Sequence, residues 1–156
     1  PSHYARIIAE ALEGLTLGIP VVWNSSGYDS VETLKRLEGL VQVYMPDFKY
    51  AKKALAKRYS AAENYPEVAM AAIREMYRQT GPYKINSDGI MQRGVIIRHL
   101  ILPNAVENTL KVIEMVAKNF SPGEVLFSLM RQYLPCGKVS AEEIEFQMFG
   151  DEYKRF

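Results

Sequence analysis

Short apolar runs and longer segments of helical periodicity alternate along the chain, and the first periodic segment lies near residue 1. Its apolar positions recur at helical spacing and are Tyr4, Ile7, Ile8, Ala11 and Leu12. Ser2 is placed to cap this helix, and Gly18 is placed to end it. A short apolar strand is predicted to begin at residues 21–23 and to run into the turn Asn24-Ser25-Ser26-Gly27.

A second helix is predicted after this turn, and a buried strand follows it. Asp29 forms a capping box with Glu32, and Ser30 is the alternative cap. The apolar run at residues 41–50 is predicted to be the strand. Side chains alternate across a strand, so one face carries Val41, Val43, Met45, Asp47 and Lys49. The acid and the base therefore lie at the carboxyl end of a strand, where α/β folds bind ligands.

The rest of the chain repeats this alternation. The predicted elements are helices at 51–60 and 66–79, a hairpin or loop at 83–93, and strands at 95–102 and 125–133. Asn104 with Glu107 opens a capped helix between the last two strands. The apolar stripe of that helix consists of Val106, Leu110, Ile113, Ala117 and Phe120. Ser140 and Glu143 form a final capping box.

This order of elements predicts an α/β fold in which a parallel sheet is joined by right-handed crossovers. About four βα units amount to half of an eight-unit barrel, so a partial (β/α) barrel is predicted. An open four-stranded sheet covered by helices is the alternative. The length of 156 residues suits a single domain that spans residues 1–156.

Composition narrows the functional classes. The formal charge of +1 gives no strong attraction to nucleic acid or to a membrane surface, and neither partner is predicted. No apolar run approaches the roughly 18 residues that span a bilayer. Cys136 is the single cysteine, which excludes an intramolecular disulfide and an all-cysteine metal site within this chain. A cytoplasmic protein is expected.

Polar side chains collect where the four predicted strands end. They belong to the Asn24–Gly27 turn, Asp47, Lys49, Arg98, Gln132 and Tyr133. Arg98 interrupts an apolar strand, so its charge must be paired with Asp47 or with an acidic ligand. His99 points to the opposite face and is interpreted as a core histidine whose hydrogen bonds are satisfied.

The residue types allow two chemical hypotheses for this edge of the sheet. Lys49 could form a Schiff base or act as a general acid beside Asp47, as in a barrel lyase or decarboxylase. Alternatively, Asp47, Lys49, Arg98 and the Asn24-Ser25-Ser26-Gly27 turn could together hold a polar, zwitterionic cofactor. The residues alone leave both hypotheses open.

Three ordered motifs show a family resemblance. They are IPVVWNSSGYDSVETLKRLEGLVQVYMPDFKY, AKRYSAAENYPEVAMAAIREMYRQTG and RGVIIRHLILPN. Over about the first 135 residues, the chain resembles the pyruvate formate-lyase-activating-enzyme-like branch of the radical S-adenosylmethionine (radical SAM) proteins. The resemblance implies a fragment of a TIM-like partial (β/α) barrel.

The resemblance also implies a chemistry. Family members hold a 4Fe-4S cluster on a C-x-x-x-C-x-x-C loop, and S-adenosylmethionine chelates the fourth iron. One electron from a reduced flavodoxin- or ferredoxin-type donor cleaves the cofactor and releases a 5′-deoxyadenosyl radical. This radical abstracts a hydrogen atom, which in activating enzymes comes from a glycine of a partner glycyl-radical enzyme.

Site residues are implied by position within the motifs. Asn24, Ser25 and Ser26 occupy the family's strand-four turn near the cofactor, although the commoner form of this turn is Thr-Asn-Gly. Asp47 and Lys49 match an Asp-x-Lys motif. Arg98 matches a strand arginine near the cofactor carboxylate and ribose, with Leu100 beside it. Gln132 or Tyr133 would lie on the adenine side.

One family element is absent from the sequence. A chain with a single cysteine does not contain the cluster loop, which the resemblance places upstream of Pro1. We therefore expect the second half of a radical SAM barrel, with no catalytic residue, no metal ligand and no bound cofactor of its own. The isolated chain is expected to be inactive and to self-associate through its unpaired first strand. A binding scaffold that retained the fold without the chemistry is a further alternative.

Overall fold

The structure is a computed structural model that describes residues 1–133. A 3₁₀ turn at Ser2–Tyr4 precedes the first helix. The helices are α1 (Ala5–Leu12), α2 (Val31–Lys35), α3 (Lys53–Ser60), α4 (Tyr65–Thr80) and α5 (Val106–Asn119). The strands are β1 (Val22–Ser25), β2 (Val43–Pro46), β3 (Lys84–Ile85), β4 (Met91–Leu100) and β5 (Leu126–Met130). The predicted final capping box and Cys136 lie outside the described residues.

The strands form one mixed sheet that is mostly parallel. β1 pairs with β2, β2 with β4, and β4 with β5, and all three pairings are parallel. The short β3 pairs antiparallel with the start of β4, which confirms the predicted hairpin. Along the chain, each new parallel strand is thus added at the same edge of the sheet. The predicted α/β class and parallel strands are confirmed, whereas closure into a barrel stays a prediction.

The described helices all pack on one face of the sheet. Right-handed crossovers between strands added in sequential order place every connecting helix on the same side. The core contains alternate residues of the strands, including Trp23, Tyr44, Val95 and Ile97, together with buried residues of all five helices. The opposite face, which we call the open face, carries Val22, Asn24, Val43, Met45, Ile96, Arg98 and Leu100. No helix within residues 1–133 covers it.

The first helix differs from its prediction. It ends at Leu12, not at Gly18, and Tyr4 and Ile7 are exposed because the small residues Ala5 and Ala9 make its core contacts. The predicted Ser2 cap is wrong, since the Ser2 hydroxyl donates to the Asp29 carboxylate, far along the chain. A long-range hydrogen bond has replaced the local one.

The cap of α2 is also corrected. The Ser30 hydroxyl accepts a hydrogen bond from the Thr33 N–H at 3.1 Å, so Ser30 is the cap and the Asp29–Glu32 capping box is wrong. Asp29 is buried and accepts the Ser25 hydroxyl at 2.5 Å in addition to that of Ser2. Its carboxylate therefore ties the start of the chain to the end of β1.

The α5 helix turns a different face to the core than its apolar pattern predicts. Leu110, from the predicted stripe, is exposed, while the polar Asn108 and Thr109 are fully buried. Asn104 does not cap the helix, because the residue before its first turn is Ala105, which makes no side-chain cap bond. The buried polar side chains determine this orientation, because Asn108 accepts a hydrogen bond from the Ala51 N–H in the segment after β2 and Thr109 bonds to His99 of β4.

Glu75 should make stability depend on pH. It is largely buried on α4, and hydrogen bonds from Arg78 hold the pKa of its carboxyl below the usual value near 4.5. A depressed carboxyl pKa stabilises the fold above the unfolded pKa, and this contribution is lost as pH falls through the folded pKa. We expect Glu75→Gln to flatten the fall in unfolding free energy below about pH 4.5, as measured by urea titration. Glu114→Gln, at an exposed pair with Lys118, is the control and should leave the slope nearly unchanged.

Candidate functional site

Register brings the predicted polar residues of three strands together on the open face. Parallel partners share a face, and Asn24 lies beside Met45, two residues before Asp47. Asp47 and Arg98 are themselves partners in an isolated parallel bridge just beyond β2. Asn24, Asp47, Lys49 and Arg98 therefore form one cluster, the polar quartet, at the carboxyl ends of the strands.

Arg98 is the centre of the polar quartet. Its Nε donates to Asp47 Oδ1 at 3.0 Å, and its Nη2 lies 2.7 Å from the same oxygen. Nη2 also donates to Asn24 Oδ1 at 2.8 Å. The predicted pairing of Arg98 with Asp47 is confirmed. The Nη1 group makes no hydrogen bond within the described part of the chain, so it can donate to a ligand.

Lys49 is held more loosely than Arg98. Its Nζ lies 3.6 Å from Asp47 Oδ2, and its side chain is 44% exposed, against 25% for that of Arg98. An ion pair of this length and exposure contributes little stability. The ammonium is therefore free to move toward an anionic group on the open face.

Two buried side chains fix the backbone that carries Asp47 and Lys49. The Tyr65 hydroxyl accepts the Lys49 N–H at 2.9 Å and lies 2.8 Å from the Asp47 carbonyl oxygen and 2.9 Å from that of Ser26. Burial raises the pKa of the Tyr65 hydroxyl, so it stays protonated and can donate. Asn108 Nδ2 donates to the Lys49 carbonyl oxygen at 3.0 Å.

Gly27 allows the turn after β1 to approach β2 closely. Its φ is +75°, and a Cβ at this position would lie 2.1 Å from the Asp47 carbonyl oxygen. Its N–H donates to the Ser25 hydroxyl at 3.2 Å. The glycine of the Asn-Ser-Ser-Gly turn is thus required by packing against Asp47.

The other predicted site residues lie in different surroundings. Ser25 is buried on the helix side of β1, where it donates to Asp29, and Ser26 is exposed. Leu100 is half-buried on the open face beside Met130. Gln132 is exposed, while Tyr133 lines a small groove of about 160 Å³ with Tyr50, Tyr59, Leu102 and Pro103. The structure therefore unites four of the nine predicted residues through direct contacts.

His99 is a structural residue, as predicted. It is fully buried, with Nδ1 2.7 Å from the Phe48 carbonyl oxygen and Nε2 2.9 Å from the Thr109 hydroxyl. A carbonyl only accepts, so Nδ1 carries the proton and Nε2 accepts from Thr109. Burial lowers the pKa of the imidazole, which keeps it neutral and unsuited to proton transfer with a ligand.

Three residues near the site were missed by sequence reasoning. Ser128 lies on the open face directly beside Arg98 in the parallel register. Tyr65 and Asn108 support the backbone from the helix side. The strand periodicity of β5 could have indicated Ser128, whereas the roles of Tyr65 and Asn108 depend on long-range contacts that leave no local pattern.

Comparison with known proteins identifies a relative but no family. No family model matches the chain, and no solved structure matches it. The chain is 34% identical over 136 residues to an uncharacterized protein of Methanocaldococcus jannaschii. The alignment covers 86% of this chain and 36% of that protein, so the chain spans about a third of its relative's length.

Residues 1–133 lack a metal-binding cluster and a membrane-spanning helix. They contain no group of three or more His, Cys, Asp or Glu side chains placed to hold a metal ion. Within the same residues, no helix combines the length and the apolar character needed to cross a membrane. The cofactor, partner and family hypotheses stay predictions.

Proposed function

We propose that this chain supplies one wall of a radical SAM barrel, and that its polar quartet binds the polar groups of S-adenosylmethionine. The observation that supports the proposal is the convergence of Asn24, Asp47, Lys49 and Arg98 on the open face at the carboxyl ends of three parallel strands. Barrel enzymes bind their ligands at this end of the strands.

The topology of the sheet is consistent with a barrel wall. Four parallel strands in sequential order, with helices on one face, are the arrangement found in a (β/α) barrel. Half-buried apolar residues follow one another along the open face below the polar quartet, among them Met45, Ile96 and Leu126. In a closed barrel these side chains would fill the interior.

The polar quartet fits the amino-acid moiety of S-adenosylmethionine. Arg98 and Lys49 can contact its carboxylate, and the carboxylate of Asp47 can accept its ammonium. Because Asp47 and Asn24 already hold the Arg98 guanidinium, little side-chain entropy remains to be lost on binding. The half-buried setting strengthens these charged contacts relative to bulk water.

The described residues do not fit the iron–sulfur cluster. Cluster binding needs several cysteine thiolates, and the single cysteine of the chain lies outside residues 1–133. Other parts of a longer protein would have to supply those ligands. The residues of this chain would then bind and orient S-adenosylmethionine, and a cluster held elsewhere would supply the reducing chemistry.

The full-length product of the gene that encodes this chain provides the test. We expect Arg98→Ala to weaken S-adenosylmethionine binding by about 10- to 100-fold, because a charge-assisted hydrogen-bond pair is lost. Isothermal titration calorimetry under anaerobic conditions measures the affinity, and formation of 5′-deoxyadenosine measures cleavage.

Arg93→Ala is the matched control, since Arg93 lies on the same strand but is exposed and distant from the polar quartet. The proposal would be contradicted if both variants lost the same affinity for S-adenosylmethionine, or if the unaltered protein did not bind it. Binding of S-adenosylmethionine without its cleavage would instead indicate the alternative of a binding scaffold that lacks the chemistry. Borohydride trapping of a carbonyl substrate on Lys49, whose ammonium is only loosely paired, would indicate the lyase.

A further inference from the structure

A hydroxyl group on the open face lies among apolar side chains. Ser128 is half-buried on β5, and Leu126 and Met130 flank it on the same face of the strand. On the neighbouring β4, the parallel register places Ile96 beside Leu126 and Leu100 beside Met130. Ser128 is therefore a polar side chain between two apolar levels of the open face.

The Ser128 hydroxyl makes no hydrogen bond within the described part of the chain. It is not sealed inside the fold either, because Trp23 Nε1 is the buried side-chain nitrogen or oxygen that lacks a partner among residues 1–133. A half-buried hydroxyl is favourable only where water or a ligand bonds to it. Ser128 is thus available to a ligand that lies on the open face.

The Arg98 side chain turns away from Ser128, although the two residues are partners on neighbouring strands. Its guanidinium bonds in the other direction, to Asp47 after β2 and to Asn24 on β1. β5 lies on the opposite side of β4 from both of these strands. The open face between β4 and β5 is therefore not filled by Arg98, and a ligand held by the polar quartet can extend across it.

The spacing of the strands sets the length of such a ligand. Asp47 is the partner of Arg98, and Arg98 is the partner of Ser128, so Asp47 and Ser128 are two strand spacings apart. Two spacings amount to about 10 Å. In S-adenosylmethionine, about eight covalent bonds separate the carboxylate carbon from the 3′ oxygen of the ribose, which is roughly 10 Å in an extended chain. Its amino-acid end and its ribose can therefore reach the two ends of this row.

We propose that Ser128 is a second anchor for the ligand of the polar quartet and hydrogen-bonds the ribose hydroxyls of S-adenosylmethionine. This inference rests on the proposed function, because the polar quartet has to hold the amino-acid end. A serine hydroxyl both donates and accepts, so it matches a neutral hydroxyl of a ligand. The apolar side chains of Leu126 and Met130 lower the local polarity, which strengthens the hydrogen bond. Ser128 therefore favours a nucleoside-bearing ligand over a free amino acid.

The binding of two sulfonium ligands to the full-length protein tests this contact. Ser128→Ala should weaken the binding of S-adenosylmethionine by about 3- to 10-fold, because one neutral hydrogen bond is lost. Ser128→Thr retains the hydroxyl and should stay within about twofold of the unaltered protein. S-methylmethionine has the amino-acid end but no ribose, so Ser128→Ala should bind it as the unaltered protein does. Anaerobic isothermal titration calorimetry measures both affinities, with displacement titration for the weaker ligand.

Ser87→Ala is the matched control and should change neither affinity, since Ser87 is an exposed serine in the β3–β4 hairpin, at the other end of β4. Equal losses for the two ligands in Ser128→Ala would overturn the proposal, because Ser128 would then act on the polar quartet and not on the ribose. Unchanged affinity for S-adenosylmethionine in Ser128→Ala would overturn it too, while a loss in Arg98→Ala in the same titrations would leave the proposed function standing. If the unaltered protein binds neither ligand, the proposed function fails together with this inference.

Discussion

Asn108→Ala is expected to lower the free energy of unfolding by about 3 kcal/mol, because it removes buried hydrogen bonds. The Asn108 side chain is fully buried and bonds three backbone groups between β2 and α3. Its Oδ1 accepts the N–H groups of Ala51 at 2.8 Å and Lys52 at 3.2 Å, and its Nδ2 donates to Lys49. Alanine leaves all three groups without these partners, and chemical denaturation measures the loss.

Asn86→Ala is the matched control for this prediction. The Asn86 Oδ1 also accepts two backbone N–H groups, from Asp88 at 3.1 Å and Ile90 at 2.8 Å, but Asn86 is exposed. Water can replace its hydrogen bonds, so the expected loss is about 1 kcal/mol or less. Similar losses in the two variants would show that burial of the Asn108 network does not determine its contribution.

Gly27→Ala is expected to cost about 3 kcal/mol and to displace the Asp47 carbonyl. The added Cβ would lie 2.1 Å from that oxygen, so the turn after β1 and the end of β2 must separate. The backbone at φ +75° adds further strain for a residue with a Cβ. Thermal denaturation gives the stability, and a ¹⁵N-correlated NMR spectrum reports shifts near Asp47 and Lys49.

Gly39→Ala separates the two contributions. Gly39 has a φ of +80°, close to that of Gly27, but no atom lies within 4 Å of the position of its Cβ. Only the backbone strain applies, with an expected cost of about 1–2 kcal/mol. If both alanine variants lose the same stability, the close approach of Gly27 to Asp47 is without energetic consequence.

The alternation of side chains between the two faces of each strand made much of the site predictable from sequence. Asp47 follows the apolar positions of β2 at even spacing, and Arg98 interrupts β4 on one face only. Both patterns persist in the structure, where the parallel register makes the two residues partners. The same alternation places Ser25 on the face of the buried Trp23, so its side chain points toward the helices and away from the open face.

Helix orientation was less predictable, because periodicity counts only apolar residues. Asn108 and Thr109 carry no apolar signal, yet their hydrogen bonds to the segment after β2 and to His99 turn them inward. Ser2 and Asp29 likewise match local capping patterns but bond through long-range contacts. Polar residues with buried partners far along the chain are therefore the positions where sequence patterns fail.

The support of the polar quartet by strands has a consequence for engineering. Asn24 and Arg98 project from β-strands, and Asp47 is anchored by its N–H to the carbonyl oxygen of Ser25 at 3.0 Å. The spacing of these side chains is therefore inherited from the hydrogen-bond ladder, whereas the turn after β1 and the segment after β2 must be retained because they hold Asp47 and Lys49 in place. Libraries that randomise exposed positions elsewhere at this edge of the sheet, while retaining the ladder and these two segments, should yield new ligand preferences around an unchanged ionic anchor.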